Sequence, residues 1–208
     1  MKHPVSKEEA QLSLYIKFLK ERLFFEPESA VMHYNLGLAY SQKELLDEAV
    51  SEFKQALECD PSLAQAHINL GGLYFRKGDF DACIEANEKA LAIDPNLPMA
   101  YSNIGFACLH KGDFARTIES SRKAIELMPN MIAAYNNLAA AYIQTGQLDE
   151  SIEASLAILG MDENFAPAHY SLAVAFQMKH DRVKAREHYE KATALGHPAD
   201  PDLEASWA

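Results

Sequence analysis

Cysteine is scarce in this chain, positive charge is outnumbered, and no long apolar run is present. The three cysteines, Cys59, Cys83 and Cys108, are widely spaced and form no CxxC pair. An odd number without metal-type spacing points to a reduced, intracellular compartment. Nineteen Lys and Arg stand against thirty Asp and Glu, a formal net charge of −11. Phosphate binding needs concentrated Lys and Arg, so a nucleic-acid partner is not expected. The acidity is compatible with basic protein partners and with solubility. No uninterrupted apolar stretch is long enough to cross a bilayer, so no membrane span is expected. The opening "MKHPVSKEEAQ" lacks an apolar h-region, so a secretory signal is not expected and the cytoplasm is the expected location. Gly-rich phosphate loops, HExxH and nucleophile elbows are missing as well. The expectation is a protein that is not an enzyme, with no cofactor and no metal.

What the chain does contain is one phrase spoken five times. "HYNLGLAY" occupies 33–40, "HINLGGLY" 67–74, "YSNIGFAC" 101–108, "YNNLAAAY" 135–142 and "HYSLAVAF" 169–176, each 34 residues after the last. A fixed period of this length marks a helical-hairpin repeat. The copies align as 30–63, 64–97, 98–131, 132–165 and 166–199. The seventh column reads Leu36, Leu70, Ile104, Leu138, Leu172, and the eighth Gly37, Gly71, Gly105, Ala139, Ala173. Small residues in the eighth column let two helices approach, while large ones at the seventh and eleventh fill the space beside that contact. Gly78, Gly112 and Gly146 are placed to end first helices in a left-handed cap. Second helices then run to the residue before Pro61, Pro95 or Pro129, because that position avoids helical geometry.

Length, small residues, aromatics and prolines together resemble the tetratricopeptide repeat over residues 30–199. The resemblance implies an all-α, right-handed superhelical solenoid of antiparallel helix pairs. Local departures exist. The family's fourth-column tryptophan is His33, His67, Tyr101, Tyr135 and His169 here, and its large twenty-fourth-column residue survives only as Phe53 and Tyr189, with Asn87, Ser121 and Ser155 between. Looser or closer packing of the middle second helices is expected there. Residues 1–29 read as an N-terminal cap: Leu12, Tyr15, Ile16, Leu19, Leu23 and Phe25 occupy the columns of Phe80, Cys83, Ile84, Asn87, Leu91 and Ile93, as in the second helix of a half repeat. Ser6 and Glu9 would form a capping box at its start. A membrane-surface helix is the competing reading, disfavoured by its balanced charge. Residues 200–208 read as a tail or short cap, with one helical turn from Asp200-Pro201 and Trp207 over the last repeat.

The three column-sharing histidines sit at least about 8–10 Å apart in stacked helices. Zinc bonds of about 2 Å cannot bridge that gap, so they read as packing residues with a hydrogen-bonding edge. The cysteines read as small buried hydrophobes.

The resemblance further implies that the second, fifth, sixth, ninth, twelfth and thirteenth columns line a concave groove. The sixth column is Asn35, Asn69, Asn103, Asn137 and Ser171. A primary amide both donates and accepts, so a row of them suits the backbone of an extended chain; the same amides also suit contacts between neighbouring helices. Tyr34, Leu38, Phe75, Arg76, Phe106, His110 and Tyr170 complete the candidate groove, with Phe75, Phe106 and Tyr170 as anchors. Tyr34, Leu38, Gln65 and Met99 stand where a carboxylate clamp for acidic chaperone tails would need polar or basic residues, so no clamp is expected. The expected partner is another protein, offering an extended peptide or an amphipathic helix. The reading is a non-catalytic scaffold, adaptor or assembly chaperone. The alternatives are a self-assembling homo-oligomer, or a chaperone of the type III secretion kind. Repeat four carries only acids among its charges (Asp149, Glu150, Glu153, Asp162, Glu163), while repeat five is rich in bases. This contrast suits either a solvated outer face or contact between molecules.

Overall fold

The computed structural model describes residues 7–205, and every structural statement concerns these. Ser6 and Trp207, named above as a cap and a cover, lie outside them. Twelve helices and no strand are present among the described residues. A long helix, α1 (Lys7–Phe25), is followed by five antiparallel pairs: α2 (Ala30–Gln42) with α3 (Leu46–Cys59), α4 (Ala64–Arg76) with α5 (Phe80–Ile93), α6 (Pro98–Lys111) with α7 (Phe114–Leu127), α8 (Ile132–Gln144) with α9 (Leu148–Met161), and α10 (Ala166–Met178) with α11 (Arg182–Ala194). A short helix, α12 (Pro201–Ala205), comes last. The architecture is an all-α solenoid.

The caps explain the period. Gly78, Gly112 and Gly146 have φ of +76°, +77° and +75°, the left-handed conformation that glycine adopts without steric cost. The same position is Glu44 (φ 62°) before α3 and His180 (φ 61°) before α11, so the turn is kept even where glycine is not. Asp79, Asp113 and Asp181 then cap α5, α7 and α11 by accepting from the backbone N–H three residues on, satisfying a donor that the first turn leaves open. Before Pro61, Pro95 and Pro129 the chain turns extended at Asp60, Asp94 and Met128. Asp162 does the same with Glu163 after it, so the stop does not require proline.

The helices fall into two compact units, 7–95 and 96–205. In the first, Leu19 of α1 joins Leu36, Tyr40, Val50, Phe53, Leu70 and Leu73 in one core. In the second, core clusters form around Leu138 and Tyr142, around Ala124, Met131 and Ala134, and around Ala173, Tyr189 and Leu203.

Gly37 lies under the Phe53 ring, and a Cβ there would meet the ring at 2.9 Å. In the next pair Asn87 replaces the ring and comes still closer: a Cβ on Gly71 would sit 2.0 Å from its Nδ2. That amide donates to the Cys83 carbonyl at 2.8 Å, so a polar group fills the gap without an unsatisfied donor. Packing at this column is therefore close. Cys83 and Cys108 are buried, as expected, whereas Cys59 is exposed at the end of α3.

Candidate peptide-binding faces

The candidate side chains divide between the two units. In the first, Tyr34 lies against Phe53 with ring centroids 5.6 Å apart, and its hydroxyl accepts from the Asn69 amide at 3.0 Å. Asn35 is half-buried on α2, and one turn on Leu38 is 41% exposed. Phe75 is half-buried against Phe80, 5.4 Å between centroids. Arg76, the one full charge among the candidates, is ion-paired with Glu44.

In the second unit, Phe106 is 37% exposed and makes an edge contact with the His110 ring at 4.9 Å. Its sequence neighbours on α6, Ile104, Gly105, Ala107 and Cys108, are all buried. Asn103 is half-buried one turn before it. Asn137 and Tyr170 are engaged within the chain. Asn137 is buried and donates to the Ser102 carbonyl of the neighbouring first helix at 3.2 Å. Tyr170 stacks on His197 at 4.2 Å and donates to Asp200 at 2.5 Å.

Asp200 is the residue that sequence reasoning undervalued. Its Oδ2 takes the Tyr170 proton bond, while its Oδ1 accepts from the backbone of Asp202 and Leu203 and so starts α12. Tyr189 also joins, accepting from the Asp200 N–H at 2.7 Å and donating to Glu204 at 2.8 Å. Burial, and then the Asp200 carboxylate, push the Tyr170 hydroxyl up to about 12, while the Tyr170 bond holds Asp200 below the usual carboxylate range. The sequence signal was positional: Asp200 lies 34 residues after Ala166, so α12 stands in the register of a further first helix. Leu203, buried against Tyr189, supplies the cover.

Two of the three fourth-column histidines, His33 and His169, use their ring edges to hold inter-pair turns. His33 places Nδ1 2.7 Å from Glu52 and Nε2 3.0 Å from the Pro27 carbonyl. His169 places Nε2 3.2 Å from the Glu163 carbonyl, and its Nδ1 shares a hydrogen bond with His188 Nδ1 at 3.0 Å. Among the described residues no group of three or more His, Cys, Asp or Glu is placed to hold a metal ion. Nor is any helix there long and apolar enough to cross a membrane.

The charges of the fourth and fifth pairs meet inside the chain: Lys179 pairs with Asp149. The equivalent pair in the first unit is Lys77 with Asp47.

These observations define a class: a helical-repeat scaffold whose first helices present mixed apolar and amide faces. Tetratricopeptide repeat models match residues 64–97 and 109–175, and a further TPR repeat model matches 42–78. The chain belongs to the tetratricopeptide repeat family. No curated protein sequence matches it. Among solved structures it is similar to YrrB, a TPR protein with an unusual peptide-binding site, at 24% identity and a TM-score of 0.74, covering 91% of this chain and 98% of that one. It is also similar to MamA, at 26% identity and a TM-score of 0.70 over 77% of this chain and 94% of that one. MamA 41-end from Desulfovibrio magneticus RS-1 gives 22% identity, a TM-score of 0.73 and coverage of 80% and 94%. The fold is that of a protein–protein interaction scaffold.

Proposed function

We propose that this protein is a non-catalytic adaptor or assembly chaperone that holds a segment of another protein against its first helices. The observation that carries the reading is the ninth repeat column. Leu38 and Phe106, both large and apolar, are exposed there on helices whose adjacent residues are buried. Exposed apolar side chains beside half-buried amides suit an apolar anchor followed by backbone. Asn35 beside Leu38, and Asn103 beside Phe106, are the amides in reach of such a segment. Asn137 is buried and Tyr170 is held by His197 and Asp200, so neither takes part in this proposal. The peptide-binding site of YrrB is in keeping with the reading, since the two share a fold.

Affinity capture from native lysate, followed by mass spectrometry, tests this. A protein retained by the wild type and lost from Phe106→Ala or Leu38→Ala, with the thermal melt unchanged, is the expected result. Equal retention by wild type and variants would move the function away from these faces.

A further inference from the structure

The second helices share a sealed face. At the twentieth column Ala49, Cys83, Thr117, Ser151 and Ala185 are all fully buried, and at the twenty-seventh so are Ala56, Ala90, Ala124, Ile158 and Ala192. The first helix of the same pair does the sealing. The Thr117 carbonyl lies 3.5 Å from where a Cβ on Gly105 would be, and Ser151 donates to the Ala139 carbonyl at 3.0 Å.

In the same register α1 presents Tyr15 and Arg22 at these two columns, and no first helix covers them among the described residues. The residues differ in kind as well as exposure. Tyr15 is 43% exposed where every other pair buries a small side chain. Leu14 (67%), Phe18 (55%) and Phe25 (79%) are exposed beside it. At 3.6 residues per turn these four fall within an arc of about 100°. The opposite edge, through Ile16, Leu19 and Leu23, is the one packed into the core.

From this face we infer a two-fold dimer in which α1 pairs antiparallel with α1 of a second copy. Area is the first argument. Aromatic side chains bury about 150–250 Å² each. Scaled by exposure, Leu14, Tyr15 and Phe18, the three that lie within the overlap of two such helices, offer roughly 300 Å² per copy. That is over a third of the roughly 800 Å² per partner of a standard interface, with the flanking polar residues still to add. Charge is the second argument. Lys7 and Glu8 flank the arc at one end of α1, and Glu21 and Arg22 at the other. Antiparallel pairing centred between Leu14 and Tyr15 brings Lys7 within one residue's rise of Glu21 on one edge of the seam, and Glu8 within one of Arg22 on the other; Lys7 and Arg22, which are level, lie on different edges. A two-fold axis makes each contact twice. The present partners of these end charges, Glu21 with Lys17 and Arg22 with Glu26, are exposed pairs one turn apart that exchange at little cost. Elsewhere the chain is acidic, with a net charge of −11 overall, so two copies repel least across this near-neutral helix. The inference stands apart from the proposed function, because it uses none of the first-helix residues.

Sedimentation equilibrium of the full chain over a wide concentration range tests it. The wild type is expected to rise from 23.2 kDa towards twice that mass. Phe18→Lys is expected to stay at 23.2 kDa with unchanged helicity. Arg22→Glu is expected to weaken association about tenfold, and Glu8→Arg with Arg22→Glu to restore it. Three results would overturn the dimer: a constant 23.2 kDa for the wild type, a mass increase indifferent to Phe18→Lys, or a charge reversal that its partner reversal does not rescue. Wild type that stays monomeric but binds anionic vesicles would overturn it in favour of a lipid surface. The charge-reversal series decides the matter even if Phe18→Lys disturbs the helix, since Glu8 and Arg22 are exposed.

Discussion

At the scale of single residues, two features run against the regular pattern and can be measured. His180 holds φ at 61° where Gly78, Gly112 and Gly146 hold the same turn. The left-handed conformation costs a side-chain-bearing residue about 1–2 kcal/mol, and glycine returns part of that as extra freedom in the unfolded chain, roughly 0.5–1 kcal/mol. His180→Gly is therefore expected to stabilise the protein by about 0.5–1 kcal/mol, seen as a melting point raised by about 1–3 °C. A lowered melting point would show that the His180 side chain contributes more than its backbone costs. The second feature is a pair of serines on α9. Ser151 donates to Ala139, whereas the Ser155 hydroxyl is buried with no hydrogen-bond partner among the described residues. Leaving such a group unpaired costs about 1–3 kcal/mol. Ser155→Ala is expected to raise stability by about 1 kcal/mol and Ser151→Ala to lower it by a similar amount. Chemical denaturation of the two variants would read both signs, and two changes of equal sign would reject the assignment.

Among the elements, α4 and α11 carry a pH dependence. His67 on α4 is held below the ordinary imidazole value first by burial and then by Lys89. His188 on α11 is held below it by burial, then by His169 and Lys191. Both rings stay neutral in the folded protein at a pH where the unfolded chain takes up protons. Since the unfolded state then binds more protons, stability rises with pH through that window. The contribution is fully present above about 6.5 and is lost as pH falls from there through the folded-state values. The melting temperature is expected to drop between pH 7 and 5, and His188→Gln with His67→Gln to flatten that drop. An unchanged slope in the double variant would remove these rings as the cause. Element boundaries were legible before the structure because caps and prolines mark them locally. The end of α11 was not: Gly196 takes φ of +92° there and turns the chain towards α12, a choice made by Tyr170 and Tyr189 gripping Asp200.

For the molecule as a whole, the period turns into stacked pairs that each depend on their neighbours for burial. The unit 96–205 contains its own core clusters, with Leu138, Tyr142, Met131, Tyr189 and Leu203 inside them. A fragment of residues 96–208 is expected to fold alone, with a strongly helical circular dichroism spectrum and a cooperative melt. A fragment without a cooperative melt would mean that this core is insufficient without the first ninety-five residues. Where acid in the fourth pair faces base in the fifth, the Lys179–Asp149 ion pair joins consecutive hairpins of one chain.

By itself the sequence determined the helices, the turns between them and the buried columns of the five pairs. These follow from local chemistry: glycine at positive φ, carboxylates at helix starts, extended backbone before proline, and apolar residues at helical spacing. On α1 the same register places Tyr15 in a buried column, yet it is 43% exposed. Only the tertiary structure decided what each face meets. The asparagine column illustrates this. One sixth-column amide, Asn69, reaches Tyr34, and another, Asn137, reaches the Ser102 carbonyl, so both bridge neighbouring first helices. Tyr170 shares its column with Tyr34, yet its hydroxyl meets Asp200. Periodicity places a side chain on its own helix to within a few tens of degrees. It carries no information on which neighbour stands about 10 Å away, and a hydrogen bond is decided within about 3 Å.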